Sequence, residues 1–240
     1  MSRPDASGQA LRANQDHYAQ PGAFDYVSDR YHTKRTQVAK AVLLSRLPAS
    51  SRTRILLDVG PGTDSPILAA RGSTGIAIAL DAAFEAVVER TRFDSRLCAD
   101  VTTGLPLHDD VVDVIYCGEL IEHLFDPISF LQDCYRVLRP GGLLLVTTPN
   151  IASLQDRARL LIGRAPRHID PLHPYIRLHI RPFTPHLLYR ALRRVGFVPL
   201  QLRSNYLDLH IRGKRYNVPF VARILPTFGG TVISLSKKPA

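Results

Sequence analysis

The feature that most constrains the fold of this 240-residue chain is a regular alternation of short apolar runs with helical patterns. The run near the middle of the chain is almost continuously apolar, as expected for a strand that is buried on both faces. Strands that alternate with helices predict a parallel sheet with helices packed on both sides. The chain is therefore expected to form a doubly wound α/β fold around a mostly parallel seven-stranded sheet. The predicted strands lie at 54–59, 74–80, 96–99, 111–117, 143–148, 198–203 and 231–236.

Two of the predicted helices carry clear start signals. Asp126 and Thr184 are residue types that cap helix N-termini, and each precedes a proline, which suits the first helical position. The first of these helices is expected to stop at the Pro-Gly-Gly run that begins at residue 140, and the second at Gly196. Apolar spacing predicts further helices at 33–47 and 83–90.

The chain is expected to contain one domain with additions. Residues 1–32 mix Gly, Pro, Asn and Gln without periodicity, which predicts a flexible N-terminal arm or lid. Residues 33–240 are expected to form a single domain. Two basic insertions are predicted within it, at 164–182 and 205–230.

Charge is distributed unevenly around the formal net value of +10. Residues 53–150 carry 7 basic and 14 acidic groups, whereas residues 151–240 carry 16 basic and 3 acidic groups. Three cysteines without a CxxC spacing predict neither a disulfide framework nor a zinc cluster. No apolar run approaches the ~20 residues that span a bilayer, and the first residues lack an apolar signal core. We therefore expect a cytoplasmic protein without a transmembrane segment.

Acidic residues follow three consecutive predicted strands. Asp58 ends the first strand and is followed by Gly60 and Gly62, while Asp81 and Asp100 close the second and third. Open α/β sheets bind ligands beyond the carboxyl ends of their strands, so these residues are the candidate binding set. Glycines allow a ligand to approach the backbone closely. The acid that follows the second strand is placed to accept hydrogen bonds from ribose hydroxyls, and the acid after the third is placed to accept from an adenine amino group.

A nicotinamide dinucleotide is the rival ligand for such a loop. Its G-x-G-x-x-G fingerprint needs a third small residue at 65, where the chain has Ser65 preceded by Asp64. A carboxylate at Asp58 would repel a pyrophosphate, but it would attract a sulfonium amino acid. The ordered set of three acids therefore favours S-adenosylmethionine over a dinucleotide.

Together these segments resemble the Rossmann-like S-adenosylmethionine-dependent methyltransferases, in the branch that includes the ubiquinone-biosynthesis methyltransferases. The resemblance covers about residues 33–204 and implies methyl transfer from S-adenosylmethionine. It also implies that Asp81 binds the ribose, that Asp100 and Val101 contact the adenine, and that Gly118 and Glu119 line the cofactor site. The matching segments are 55–62 (ILLDVGPG), 111–127 (VVDVIYCGELIEHLFDP), 136–150 (RVLRPGGLLLVTTPN) and 183–197. At Asp64, where the family usually has a third glycine, the chain departs from the pattern, which concerns affinity more than ligand identity.

An E-x-x-E-H set formed by Glu119, Glu122 and His123 follows the fourth predicted strand. A hydroxyl acceptor needs a base or a metal to remove its proton, and His123, with Glu122 beside it, is the candidate catalytic group. The same pattern resembles one found in ubiquinone O-methyltransferases and in small-RNA 2′-O-methyltransferases, in which such residues and a later histidine can hold a divalent ion. His179 is the preferred fourth ligand, ahead of His168 and His173, but a metal-free site is favoured because the acids can serve the cofactor's charge and the start of the helix.

Three functions stay open at the level of sequence. The leading one is O-methylation of a small-molecule acceptor, such as a natural product, a quinone-like compound or a saccharide, with anionic and lipid-linked acceptors included. RNA 2′-O-methylation is the second, although no RNA-binding module is recognisable and nucleic acid is not expected as a partner. A nonenzymatic ligand-binding protein on the same fold is the third. The sequence predicts neither the acceptor nor the oligomeric state.

Overall fold

The computed structural model describes residues 30–47, 52–61, 64–83, 92–173, 176–211 and 214–240, with a few isolated positions before residue 17. The predicted arm at 1–32 and the predicted helix at 83–90 lie mostly outside the described residues, as does Gly62. Within the described ranges no helix is both long and apolar enough to cross a membrane.

A seven-stranded sheet forms the centre of the molecule, in the order β3-β2-β1-β4-β5-β9-β6. The first five strands pair in parallel, and β9 runs antiparallel to both of its neighbours. The predicted doubly wound, mostly parallel seven-stranded sheet is therefore confirmed. The strands are β1 Ile55–Val59, β2 Ile76–Asp81, β3 Ser95–Cys98, β4 Val112–Gly118, β5 Leu138–Pro149, β6 Val198–Arg203, β7 Leu207–Ile211, β8 Lys214–Val218 and β9 Thr231–Lys237.

Helices cover both faces of this sheet because neighbouring strand residues point to opposite sides. The helices are α1 Arg30–Arg46, α2 Pro66–Ala70, α3 Pro127–Val137, α4 Leu154–Leu161, α5 Pro185–Val195 and α6 Pro219–Ile224. Leu57 and Ile115 belong to the apolar core that includes α3 and α5, whereas Leu56 and Val114 belong to a second core that includes α1 and α2. Short 3₁₀ turns lie at Ile121–His123, Arg167–Ile169, Ile176–Leu178 and Pro226–Phe228.

Both predicted helix caps are present. The Asp126 carboxylate accepts hydrogen bonds from the backbone N–H groups of Ile128 at 3.0 Å and Ser129 at 3.1 Å. The Thr184 hydroxyl accepts from the Leu187 N–H at 3.1 Å, and α5 ends at Gly196, whose φ of 111° suits a residue without a side chain.

Two boundaries differ from the sequence prediction. Helix α3 ends at Val137 rather than at the Pro-Gly-Gly run, because Leu138 already pairs with Val112 of β4. The ladder shifts register between Val112 and Val114, so the Pro-Gly-Gly run lies inside the start of β5. The basic insertion at 205–230 is also more regular than expected, since β7 and β8 form an antiparallel hairpin that is followed by α6.

Candidate functional site

The site begins at the buried end of β1. The Asp58 side chain is fully buried, and one of its oxygens accepts a hydrogen bond from the Ser65 hydroxyl. Its other oxygen, Oδ1, has no hydrogen-bond partner among the described residues. Burial raises the pKa of Asp58 to about 7. A buried carboxylate with one open oxygen is suited to a positively charged ligand.

Two glycines shape the backbone around this acid. Gly60 adopts a φ of 71°, and its N–H donates to the Leu80 carbonyl at 2.9 Å, which turns the chain sharply after β1. At Gly118, which ends β4, a Cβ atom would overlap the Tyr116 hydroxyl and crowd the Arg35 guanidinium. Gly118 is therefore required by the polar groups packed behind it.

The other two strand-end acids stand on neighbouring strands. Asp81 accepts a hydrogen bond from the Ala83 N–H at 2.7 Å, and burial raises the pKa of Asp81. Both oxygens of Asp100 accept from Thr102, one from its N–H and one from its hydroxyl, each at 2.8 Å. Val101, beside it, packs against the apolar core. Ribose and adenine contacts for these residues stay predictions.

The turn after β4 holds Glu119 in an unusual conformation. Its φ is 55°, a region that residues with side chains seldom adopt, and its N–H donates to the Thr147 carbonyl at 2.9 Å. The hydroxyl of Tyr31 on α1 donates to a Glu119 carboxylate oxygen at 3.2 Å and accepts from the Thr231 hydroxyl at 2.7 Å. These contacts fix the carboxylate of Glu119 against the first turn of α1.

A buried arginine lies behind this turn, and the sequence reasoning missed it. One Arg35 nitrogen, Nη1, donates to the Tyr116 hydroxyl at 2.8 Å and to the Thr147 hydroxyl at 2.9 Å. The side chain is 8% exposed. Its positive charge lowers the pKa values of Asp58, Glu119 and Glu122, against the larger upward effect of their burial.

Glu122, His123 and His179 form a second group, which we call the proton cluster. Glu122 is 1% exposed, and one of its oxygens accepts from the Thr148 hydroxyl at 2.9 Å. Its Oε1 has no hydrogen-bond partner among the described residues. The His123 and His179 rings meet edge to face, with centroids 4.9 Å apart. Burial, followed by repulsion from Glu119, raises the pKa of Glu122 well above its usual value.

The proton cluster has the composition of a cation site. One ligand atom from each of its three residues lies within 4.8 Å of the others, and they are one carboxylate oxygen and two imidazole nitrogens. This mixed set fits a divalent ion such as Mn²⁺ or Zn²⁺. Of the four ligands considered from the sequence, three come together here, while Glu119 faces Tyr31 instead.

Further rings extend the proton cluster toward α1. His168 lies nearly parallel to His179 with centroids 6.3 Å apart, and its centroid is 6.2 Å from that of Tyr31. Burial lowers the pKa values of His168 and His179 to about 4, and that of His32 to about 3. These three histidines are therefore neutral near pH 7, and they present a wall of uncharged rings.

Contacts made by Arg181 hold the loop that carries His179, which we call the His179 loop, beside the turn that carries His123. The Arg181 N–H donates to the Glu122 carbonyl at 2.9 Å, and the Arg181 Nε donates to the Phe125 carbonyl at 3.1 Å. The guanidinium carbon also lies 4.9 Å from the centre of the Phe125 ring. Arg181 thereby ties two segments that are far apart in sequence.

Comparison with known proteins agrees with the geometry of this strand edge. Residues 57–146 match a family model described as a methyltransferase domain, and they include the end of β1, all of β2, β3 and β4, and the Glu119–His123 turn. Residues 57–146 are therefore a methyltransferase domain, and the sheet around them has the Rossmann-like methyltransferase fold. A Mycobacterium tuberculosis relative described as a "probable S-adenosylmethionine-dependent methyltransferase" is 31% identical over 175 residues, which are 72% of this chain and 58% of that protein.

Two further proteins are similar to this methyltransferase, one in sequence and one in fold. A ubiquinone biosynthesis O-methyltransferase of Pseudomonas putida is 33% identical over 109 residues, covering 42% of this chain and 47% of that protein. The methyltransferase solved with the Trm112 methyltransferase activator from Haloferax volcanii superposes with a TM-score of 0.67 at 19% identity, over 94% of this chain and 98% of that one, and so shares its fold. The chain spans about half of the length of these two curated relatives, 58% of the first and 47% of the second.

Proposed function

We propose that this methyltransferase transfers the methyl group of S-adenosylmethionine to an oxygen atom of a small-molecule acceptor. The observation that supports this most directly is the position of the proton cluster: Glu122 and His123 follow the end of β4, the strand that pairs with β1, and β1 carries Asp58 near its end. A group that can remove a proton next to a cofactor pocket is what a hydroxyl acceptor requires.

The residues at the strand ends fit the cofactor. The open oxygen of buried Asp58 suits the positive charge of the methionine portion, and the turn at Gly60 brings backbone close to it. Besides the hydrogen bond from the Ala83 N–H, the Asp81 carboxylate can accept hydrogen bonds from the ribose hydroxyls. Asp100 follows the neighbouring strand, β3, where it can accept a hydrogen bond from the adenine amino group. When bound, S-adenosylmethionine supplies a methyl group that is already activated, so the protein's main task is alignment.

In this proposal His123 takes the proton of the acceptor hydroxyl. The ring of His123 is 6% exposed and is held edge-on by His179, so its orientation is fixed before the acceptor arrives. Glu122, buried beside it, can balance the charge of the imidazolium that forms. The neutral rings of His168 and His32 exclude water around the acceptor without adding charge.

A divalent ion on the proton cluster is the second candidate, and the 4.8 Å grouping of its ligand atoms favours it. Glu122, His123 and His179 would hold the ion, which would lower the pKa of the acceptor hydroxyl. The two roles of His123 exclude each other because a metal-bound nitrogen has no free lone pair. Dialysis against EDTA separates them: loss of turnover that Mn²⁺ restores supports the ion, and full turnover without detectable metal supports His123 as the base.

Methyl transfer itself is tested with labelled S-adenosylmethionine and a mixture of phenols, sugars and RNA. We expect label on the oxygen of a small molecule, and a 10²- to 10⁴-fold lower turnover for His123→Ala with nearly unchanged cofactor affinity. His173→Ala is the matched control, because His173 lies in the same histidine-rich stretch but bonds the Ile176 N–H instead. Labelled RNA alone, or a fully active His123→Ala variant, would overturn the proposal.

A further inference from the structure

The end of α4 exposes large apolar side chains to solvent. Leu160, Leu161 and Ile162, which we call the apolar tip, are 56%, 88% and 68% exposed. The chain turns directly after them at Gly163, whose φ is 73°, and the Arg164 N–H donates back to the Arg159 carbonyl at 2.8 Å. The apolar tip is therefore a protruding turn at the end of a helix and not a frayed terminus.

The residues around the apolar tip are basic. Residues 151–181 contain six arginines and two aspartates. One of these aspartates, Asp156, is fully buried and pairs with Arg167 at 3.4 Å, so it contributes little negative charge to the surface. Arg157 and Arg164 are exposed on either side of the apolar tip. An apolar projection surrounded by arginines complements a surface that is anionic outside and apolar beneath.

The same segment forms one wall of the candidate site. Asp156 accepts hydrogen bonds from the Ser153 hydroxyl at 2.6 Å and from the Arg167 N–H at 3.1 Å, which fixes the turn that follows α4. His168, the next residue, lies against His179 and Tyr31. One short segment therefore carries both an exposed apolar tip and a histidine of the ring wall.

We propose that the apolar tip and its flanking arginines dock this methyltransferase on an anionic lipid bilayer, where the site receives a lipid-linked acceptor. Two adjacent aliphatic side chains that are at least two-thirds exposed enter the acyl boundary, and the arginines contact lipid phosphates. A second copy of the chain is a poorer occupant, because self-association through this face would bring the arginines of both copies together. The identity of the acceptor rests on the proposed function, whereas bilayer binding does not.

Vesicle co-sedimentation tests the docking without any methyl transfer. The full chain is mixed with phosphatidylcholine vesicles that contain either none or about 30% phosphatidylglycerol. We expect binding to the anionic vesicles alone, a decrease as NaCl rises from about 0.1 to 0.5 M, and at least a tenfold lower partition coefficient for Leu161→Ser/Ile162→Ser. Leu44→Ser/Val198→Ser is the matched control, since these residues are 45% and 50% exposed on α1 and β6.

Four results would overturn the proposal. The wild type could ignore anionic vesicles, the Leu161→Ser/Ile162→Ser variant could bind them as the wild type does, or the control variant could lose binding equally. The fourth is a concentration-dependent dimer in sedimentation velocity that the Leu161→Ser/Ile162→Ser substitution abolishes, because the apolar tip would then serve self-association. Calorimetric titration with S-adenosylmethionine on the same samples reports the cofactor site separately, so failure of docking and failure of the proposed function are distinguishable.

Discussion

Asp58 offers the sharpest test of how the site binds its cofactor. Burial raises the pKa of this carboxyl to about 7, so the ligand-free protein holds a proton there at pH 6 and has largely lost it at pH 8. A sulfonium amino acid favours the ionised form, because the charge of Asp58 then has a partner. Binding of S-adenosylmethionine should therefore release a proton and strengthen as the pH rises through 7.

The size of the expected change in affinity with pH follows from the pKa of Asp58. A carboxyl with a pKa of about 7 is about one-eleventh ionised at pH 6 and about ten-elevenths ionised at pH 8. If the bound form is fully ionised, the affinity of the wild type rises about tenfold over this range, or about 1.4 kcal/mol. Asp58→Asn keeps an acceptor for the Ser65 hydroxyl but cannot ionise, so this contribution to the pH dependence should vanish.

The assay is isothermal titration calorimetry of S-adenosylmethionine at pH 6, 7 and 8, in two buffers that differ in ionisation enthalpy. Proton release appears as a buffer-dependent enthalpy, and the Asp58→Asn variant subtracts the titration of the ligand's own amino group. Equal pH slopes for the wild type and the variant would refute the reasoning, because Asp58 would then be ionised, or protonated, in both states.

Three other substitutions test separate parts of the site. Asp81→Ala should weaken cofactor binding by about 1–3 kcal/mol in calorimetry, because it leaves a polar ligand group unpaired, whereas the exposed control Asp109→Ala should have no effect. Arg35→Met should lower the free energy of unfolding by about 3–5 kcal/mol at pH 8, and by less at pH 5.5, where Asp58, with a pKa of about 7, is protonated; urea denaturation at both pH values measures this. Arg181→Met should lower turnover about tenfold by loosening the His179 loop, with cofactor affinity kept, while exposed Arg177→Met should not. Equal losses in the Arg181 and Arg177 variants would contradict the positioning role of Arg181.

The sheet could be predicted because its signals are local. Apolar runs of strand length, capping residues and Gly196 each depend on a few neighbours, and all correspond to elements in the structure. The start of β5 could not be predicted, because it depends on Leu138 pairing with Val112, a contact that no local pattern shows. The alternation of Leu207, Leu209 and Ile211 was a weak sequence signal for the β7–β8 hairpin. The many basic residues of the surrounding 205–230 segment made this alternation hard to recognise.

The histidines show where sequence reasoning about the site ends. His168, His173 and His179 lie in one insertion and have similar neighbours, so the sequence offered three candidate partners for His123. The structure places His179 against the His123 ring, stacks His168 behind it and uses His173 to accept from the Ile176 N–H. The choice depends on the path of the loop between α4 and α5, and Arg181 sets that path through Glu122 and Phe125.

The burial of Arg35 could have been predicted from the sequence, and this arginine affects the charge of the site. Residues 35, 39 and 42 recur at helical spacing, so an arginine occupies the apolar face of α1 that Ala39 and Val42 bury. A buried arginine needs acidic partners, and here the surrounding acids are Asp58, Glu119 and Glu122. One guanidinium cannot neutralise three carboxylates, and burial keeps their pKa values raised, so a positive charge on the ligand favours their ionised forms. A sulfonium beside Asp58 supplies such a charge, whereas a pyrophosphate in the same place would add to the excess of negative charge.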